Sequence, residues 1–269
     1  MSEVAFSTIY TQLVATRQRI VDTLFEIDDI ELQQNPRIQA EYASSVGYLE
    51  NNLLKWQLTA RRLRRKLTLL RAAANSGQAV SNQQLDTTLD KEFSDWEQLL
   101  ARRVSEQMAQ LERKSSMRCA SPSKSKEIVQ IHRTLVKRLH PDIHPHQSDE
   151  AKRFFAMAQS AYKDGDLRLL RALLTATEDY EEPLATKSQN ASEDDLEVSL
   201  AMAEAQLAVS QEHLSTLKSS RPYTLRALLD DHQELANLQK SLETRIEEQK
   251  HIASAFEQSI CDLLGECHE

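Results

Sequence analysis

Between positions 140 and 146 the chain carries His140, Asp142, His144 and His146, punctuated by Pro141 and Pro145. Three chemistries use such residues. Imidazoles and a carboxylate are metal ligands, but the stretch is short and no second cluster completes a site. A histidine followed by proline also suits the end of a helix, where the cation meets the negative pole and the proline stops propagation. The third use is a contact with a partner, made through a turn that the proline stiffens. The preceding stretch KEIVQIHRTLVKRL (126–139) is amphipathic, and its basic face taken without the turn reads as an ordinary solvated surface. It places Ile128, Ile131, Leu135 and Leu139 on one helical face and Lys126, Arg133, Lys137 and Arg138 mostly off it.

Other reactive side chains are sparse. Cys119, Cys261 and Cys267 are an odd number in a long chain, as expected of reduced thiols in a cytoplasmic protein. Cys261, Cys267 and His268 match no standard zinc spacing, so neither a metal nor another cofactor is expected. The basic run ARRLRRKLTLLRA (60–72) holds Arg61, Arg62, Arg64, Arg65 and Lys66 beside an apolar seam. It reads either as a solvated flank or as a docking patch for an acidic surface. No phosphate loop, acid pair or nucleophile–base arrangement is recognisable, so the chain does not read as an enzyme.

Composition narrows the frame. Four glycines and six prolines in 269 residues, with aromatics at 5% and charged residues at 28%, predict long helices packed through narrow Leu/Ala seams. A formal net charge of −8 argues against a nucleic-acid coat. No apolar run of membrane-spanning length occurs, and the N-terminus lacks the pattern of a secretory signal.

Seams of helical period then set the elements. Phe6, Ile9, Leu13, Ile20, Leu24 and Ile27 predict a helix over 3–34. Asn35-Pro36 reads as the start of a second helix over about 36–75, with a seam from Tyr42 through Val46, Leu49, Leu53, Trp56, Ala60, Leu63 and Leu67 to Leu70. A connector at 31–37 would fold the two into an antiparallel N-terminal coiled-coil hairpin, 1–75. A loop at 73–84 leads to a connecting helix, 85–115, with Phe93, Trp96, Leu100, Val104, Met108 and Leu111 on one side. A break at 115–123 precedes a compact segment, 124–177, in which Ser148 caps a helix, Gly165 ends it and Asp166 starts another. After a polar linker, 178–192, Ser192 with Asp195 resembles a capping box. Two further seams, Leu196 to Leu217 and Leu235 to Leu263, predict a C-terminal coiled-coil hairpin, 192–269.

A basic helix, His140-Pro141-Asp142, a proline-containing loop and a helix carrying Phe155, Ala161 and Tyr162 resemble helices II and III of a J-domain (the DnaJ-like co-chaperones). The likeness covers about 50 residues, roughly 125–175. It departs from the family in three ways. Nothing in 112–125 resembles the Tyr-x-x-Leu-Gly of helix I, and both the Gly/Phe-rich segment and the CxxCxGxG repeats are missing. A bare two-helix hairpin buries too little apolar surface to stand alone, so support is expected from 85–115 or from 167–177.

The resemblance implies an all-α co-chaperone that stimulates ATP hydrolysis by a DnaK-type (heat-shock 70 class) chaperone. In it, Arg133, Lys137, Arg138 and Lys126 would steer the partner, and Asp142 would pair with a basic group at its interdomain joint. Pro141 would fix the turn and His140 would order it. The coiled coils would choose a client or partner, and their seams also leave a homodimer open. The alternative is a structural coiled-coil adaptor or scaffold whose J-like module is inactive.

Overall fold

A computed structural model describes residues 3–76, 81–116, 122–180 and 193–264. The fold is all-α, with no strand among the described residues. The first 74 of these are helical without interruption. Helix α1 (Glu3–Asp29) passes through a π-helical turn (Ile30–Gln34) into α2 (Asn35–Tyr42), then through a second π-turn (Ala43–Gly47) into α3 (Tyr48–Ser76). Further along lie α4 (Asn82–Ser116), α5 (Pro122–Leu139), α6 (Asp149–Asp164), α7 (Leu167–Ala176), α8 (Glu193–Ser219), α9 (Leu225–Asp230) and α10 (His232–Leu264).

The expected connector at 31–37 is therefore helix, and Asn35 does not cap one. Its N–H bonds to the Ile30 carbonyl five residues back, and its Oδ1 is buried without a hydrogen-bond partner. The widened turn explains how Pro36 is carried inside a helix. A proline lacks the N–H of a normal turn and crowds the carbonyl four residues earlier, and a π-turn just before it relieves that crowding. The second π-turn also frees main-chain oxygens. Gln107 Nε2 donates to the Ala43 carbonyl at 3.0 Å and Gln239 Nε2 to that of Ser45 at 2.8 Å.

The chain divides into two units, Met1–Ile38 with Ser115–Arg226, and Gln39–Lys114 with Ala227–Glu269. The seams expected to close two terminal hairpins find other partners within these units. In the first unit α1 packs along α8, and both lie in one apolar core with α5, α6 and α7. In the second, the seam of α3 meets that of α10: Val46, Leu49 and Leu53 pack with Leu242 and Ile246, while Leu67 and Leu70 pack with Ile260 and with Leu85 of α4. Ser45 meets Gln239 and Trp56 meets Lys250, so α3 and α10 run parallel. Two sequence-adjacent helices joined by a tight turn would instead be antiparallel. The seams themselves are as expected; what differs is the partner each one finds.

Helix α4 returns antiparallel to α3 through polar contacts. Lys66 meets Asp86 at 3.3 Å, Arg65 pairs with Glu92 at 2.8 Å, and Arg62 bridges Asp90 and Glu97. Arg61 lies over Trp96, 5.3 Å from its centroid, and Asn51 bonds to Gln107. Most of the basic cluster at 61–66 is thus matched by carboxylates of α4. The expected seam on α4 is left open: Val104, Met108 and Leu111 are exposed, whereas Leu85 and Leu89 near its start are buried. Of the break expected at 115–123 and the linker expected at 178–192, residues 117–121 and 181–192 lie outside the described residues, as do Cys119, Ser192, Cys267 and His268.

Candidate functional site

The site is built on α5 and α6. Helix α5 turns Ile128, Ile131, Leu135 and Leu139 into the core as its pattern predicts, and adds Val136 and His132, both fully buried. Helix α6 starts where Ser148 Oγ accepts from the Ala151 N–H, with Asp149 and Glu150 in its first turn. It ends at Gly165, whose φ of 67° is open to a residue without Cβ, and Asp166 then accepts from the N–H groups of Arg168 and Leu169 to begin α7. Phe155, Ala158, Ala161 and Tyr162 face inward.

The loop between them is held by local bonds. The Ile143 and His144 N–H groups bond to the His140 carbonyl, and the Asp142 N–H donates to His140 Nδ1 at 3.1 Å. That last bond requires Nδ1 to be unprotonated. The His140 ring also meets Phe155 edge-on with centroids 4.8 Å apart. Burial there pushes the imidazole pKa below its ordinary value, against the opposing pull of Asp142 and Asp28. His144 Nε2 lies 3.1 Å from the Lys137 carbonyl. With its backbone so fixed, Asp142 has an exposed side chain. Among the described residues no group of three or more His, Cys, Asp or Glu is placed to hold a metal ion.

The basic residues divide. Lys126 is exposed, and Lys137 is half-buried. Arg133 pairs with Asp22 of α1 and lies over Phe25. Arg138 donates from Nη1 to the Leu174 carbonyl of α7 at 3.1 Å. Arg133 and Arg138 therefore tie α5 to its neighbours as well as contributing charge.

Support for the hairpin comes from α7, as one expectation had it, and from α1, which sequence reasoning did not consider. The other expected support, 85–115, belongs to the second unit. A buried polar cluster joins α1 to α5 and α6. His132 Nε2 lies 3.1 Å from Asp28 Oδ2, with side chains 0% and 6% exposed. Gln159 Nε2 donates to Asp28 Oδ1 at 3.0 Å, and the Tyr162 hydroxyl to Asp29 Oδ1 at 2.7 Å. His132 and Tyr162 stack with rings 7° from parallel and centroids 4.0 Å apart. Burial, helped by the bond to Asp29, raises the Tyr162 pKa far above the ordinary phenol value and keeps it neutral. Two signals in the sequence could have exposed this cluster. Asp28 sits among Leu24, Ile27 and Ile30, and His132 stands one turn from both Ile128 and Val136. A polar residue in a core register is stable only with a partner.

On its other side the loop borders α8 and a cleft of about 700 Å³. Arg17 and Val21 of α1, Arg138, Asp142, Pro145, Tyr180 and, from α8, Ser199, Met202, Ala203 and Gln206 line it. Gln206 Nε2 donates to the Asp142 carbonyl. Comparison of the chain with protein-family models, with curated proteins and with solved structures finds no match.

Proposed function

We propose that the protein is a co-chaperone that stimulates ATP hydrolysis by a DnaK-type chaperone through the His140-Pro141-Asp142 loop. The observation that carries this reading is the loop itself, in which His140 accepts the Asp142 N–H while the Asp142 carboxylate is exposed between two packed helices. The carboxylate would form a charge-assisted contact with a basic group of the chaperone, and Lys126, Lys137 and the outer edge of Arg133 would add long-range attraction. Stimulation follows if this contact favours the hydrolysis-competent state of the partner over its other states. The protein itself would do no bond chemistry and would act in the cytoplasm. No helix among the described residues is long and apolar enough to cross a membrane.

One observation favours a second reading, a structural adaptor with an inactive J-like module. Asp22 offsets the charge of Arg133, and Arg138 is held against the Leu174 carbonyl, which weakens the steering these two could supply. Single-turnover ATP hydrolysis by a DnaK-type chaperone from the same organism separates the two. The co-chaperone reading expects stimulation by the wild type that is lost with both His140→Gln and Asp142→Asn. A folded wild type that leaves the hydrolysis rate unchanged supports the adaptor.

A further inference from the structure

Among the described residues, helix α8 is apolar on two sides, and neighbours cover one of them. At 100° per residue, Leu196, Leu200, Ala203, Leu207 and Leu214 share an arc, and this arc faces the core of the first unit. Val198, Met202, Gln206 and Val209 fall within a second arc of about 80°. Between residues 196 and 211 the helix has two charged residues, Glu197 and Glu204, and both lie on the third side. A helix facing water on that second side would carry charge there. Instead Val198 is 55% exposed, Met202 69% and Val209 68%.

We propose that this stripe is a docking surface for the same DnaK-type chaperone, continuous with the His140-Pro141-Asp142 loop. The inference rests on the co-chaperone reading and extends its interface to an element outside the J-like segment. Continuity identifies the occupant. Gln206, at the edge of the stripe nearest the loop, donates to the Asp142 carbonyl, and Met202 and Gln206 line the same cleft as Asp142 and Pro145. A protein that engages the Asp142 carboxylate comes to lie beside this stripe. Methionine adapts its shape to such a surface, and the valines add apolar area at little cost in side-chain order. The loop would supply the signal and the stripe the affinity.

The test uses the full chain with Met202→Glu and Val209→Glu combined, titrated into single-turnover ATP hydrolysis by the chaperone and into a direct binding assay. Placing two carboxylates on an apolar contact is expected to raise the half-saturating concentration at least about tenfold. Stimulation at saturation should persist, whereas Asp142→Asn abolishes it. Should the double variant lose helicity by circular dichroism, Met202→Gln with Val209→Thr keeps the shape and is expected to show about a threefold rise. Unchanged half-saturation overturns the inference and leaves the co-chaperone reading standing. The same holds if the wild type sediments as a dimer, the variant as a monomer, and half-saturation is unchanged; the stripe is then a self-contact. No stimulation by the wild type overturns the co-chaperone reading and the inference together.

Discussion

Asp28 and His132 place a carboxylate and an imidazole where the pattern calls for apolar side chains, and each is tolerable only because the other is there. Together with Gln159, Tyr162 and Asp29 they fasten the N-terminal helix to the α5–α6 hairpin, so the buried polar groups fix a register that Leu and Ile alone would leave loose. Removing one partner strands the other. Asp28→Leu and His132→Leu are each expected to cost about 3–5 kcal/mol in urea unfolding, the magnitude for breaking a buried pair. The double variant should cost less than the sum by about 0.5–3 kcal/mol. Strict additivity would mean that the two side chains contribute independently. His140, by contrast, was legible from the start, because a histidine before Pro-Asp at a helix end can be read without knowing what packs against it.

Among the elements, α4 stands apart because beyond its first turns it meets α3 through ion pairs and polar contacts rather than a buried apolar seam. From position 90 to 112 none of its residues is buried, while Arg62, Arg65 and Lys66 of α3 reach across to Asp90, Glu97, Glu92 and Asp86. Exposed pairs of this kind are screened by salt and contribute little each. Amide hydrogen exchange is therefore expected to be faster over 90–112 than over 48–70 of α3, and to accelerate in the former alone when salt is raised from low to molar concentration. Equal protection of both helices, insensitive to salt, would show that something else covers α4. The helix expected over 85–115 coincides with α4, and the pattern had no means of telling that its apolar side stays open. A stripe of Val104, Met108 and Leu111 reads the same whether or not a neighbour arrives.

At the level of the whole molecule, the consequence is that the N-terminal seams depend on residues more than 150 positions away. α1 needs α8, and α3 needs α10. A chain ending at residue 191 keeps the whole stretch once expected to form a hairpin, yet removes both partners. Its mean residue ellipticity at 222 nm should fall well below that of the intact protein, with dye binding to the uncovered Leu13, Ile20, Leu49 and Leu53 faces. Unchanged ellipticity per residue would restore the hairpin of 1–75. Long-range pairing of this kind has to close a large loop before any contact forms, which is why local signals around Asn35-Pro36 were a poor guide to it.

The amino-acid pattern alone determined that the protein is helical, where most of its seams run, and where the Ser148, Gly165 and Asp166 signals cut α6 and α7. All of these depend on residues within a few turns of one another, whose spacing is physical information in itself. Only the tertiary structure decided which seam meets which, that Pro36 is absorbed by a π-turn, and that Asp28, His132 and Gln206 converge around the loop. A heptad seam specifies an apolar stripe and not its partner. With several such stripes in one chain, more than one pairing satisfies the same pattern, and the buried polar contacts and the register of the packed surfaces select among them.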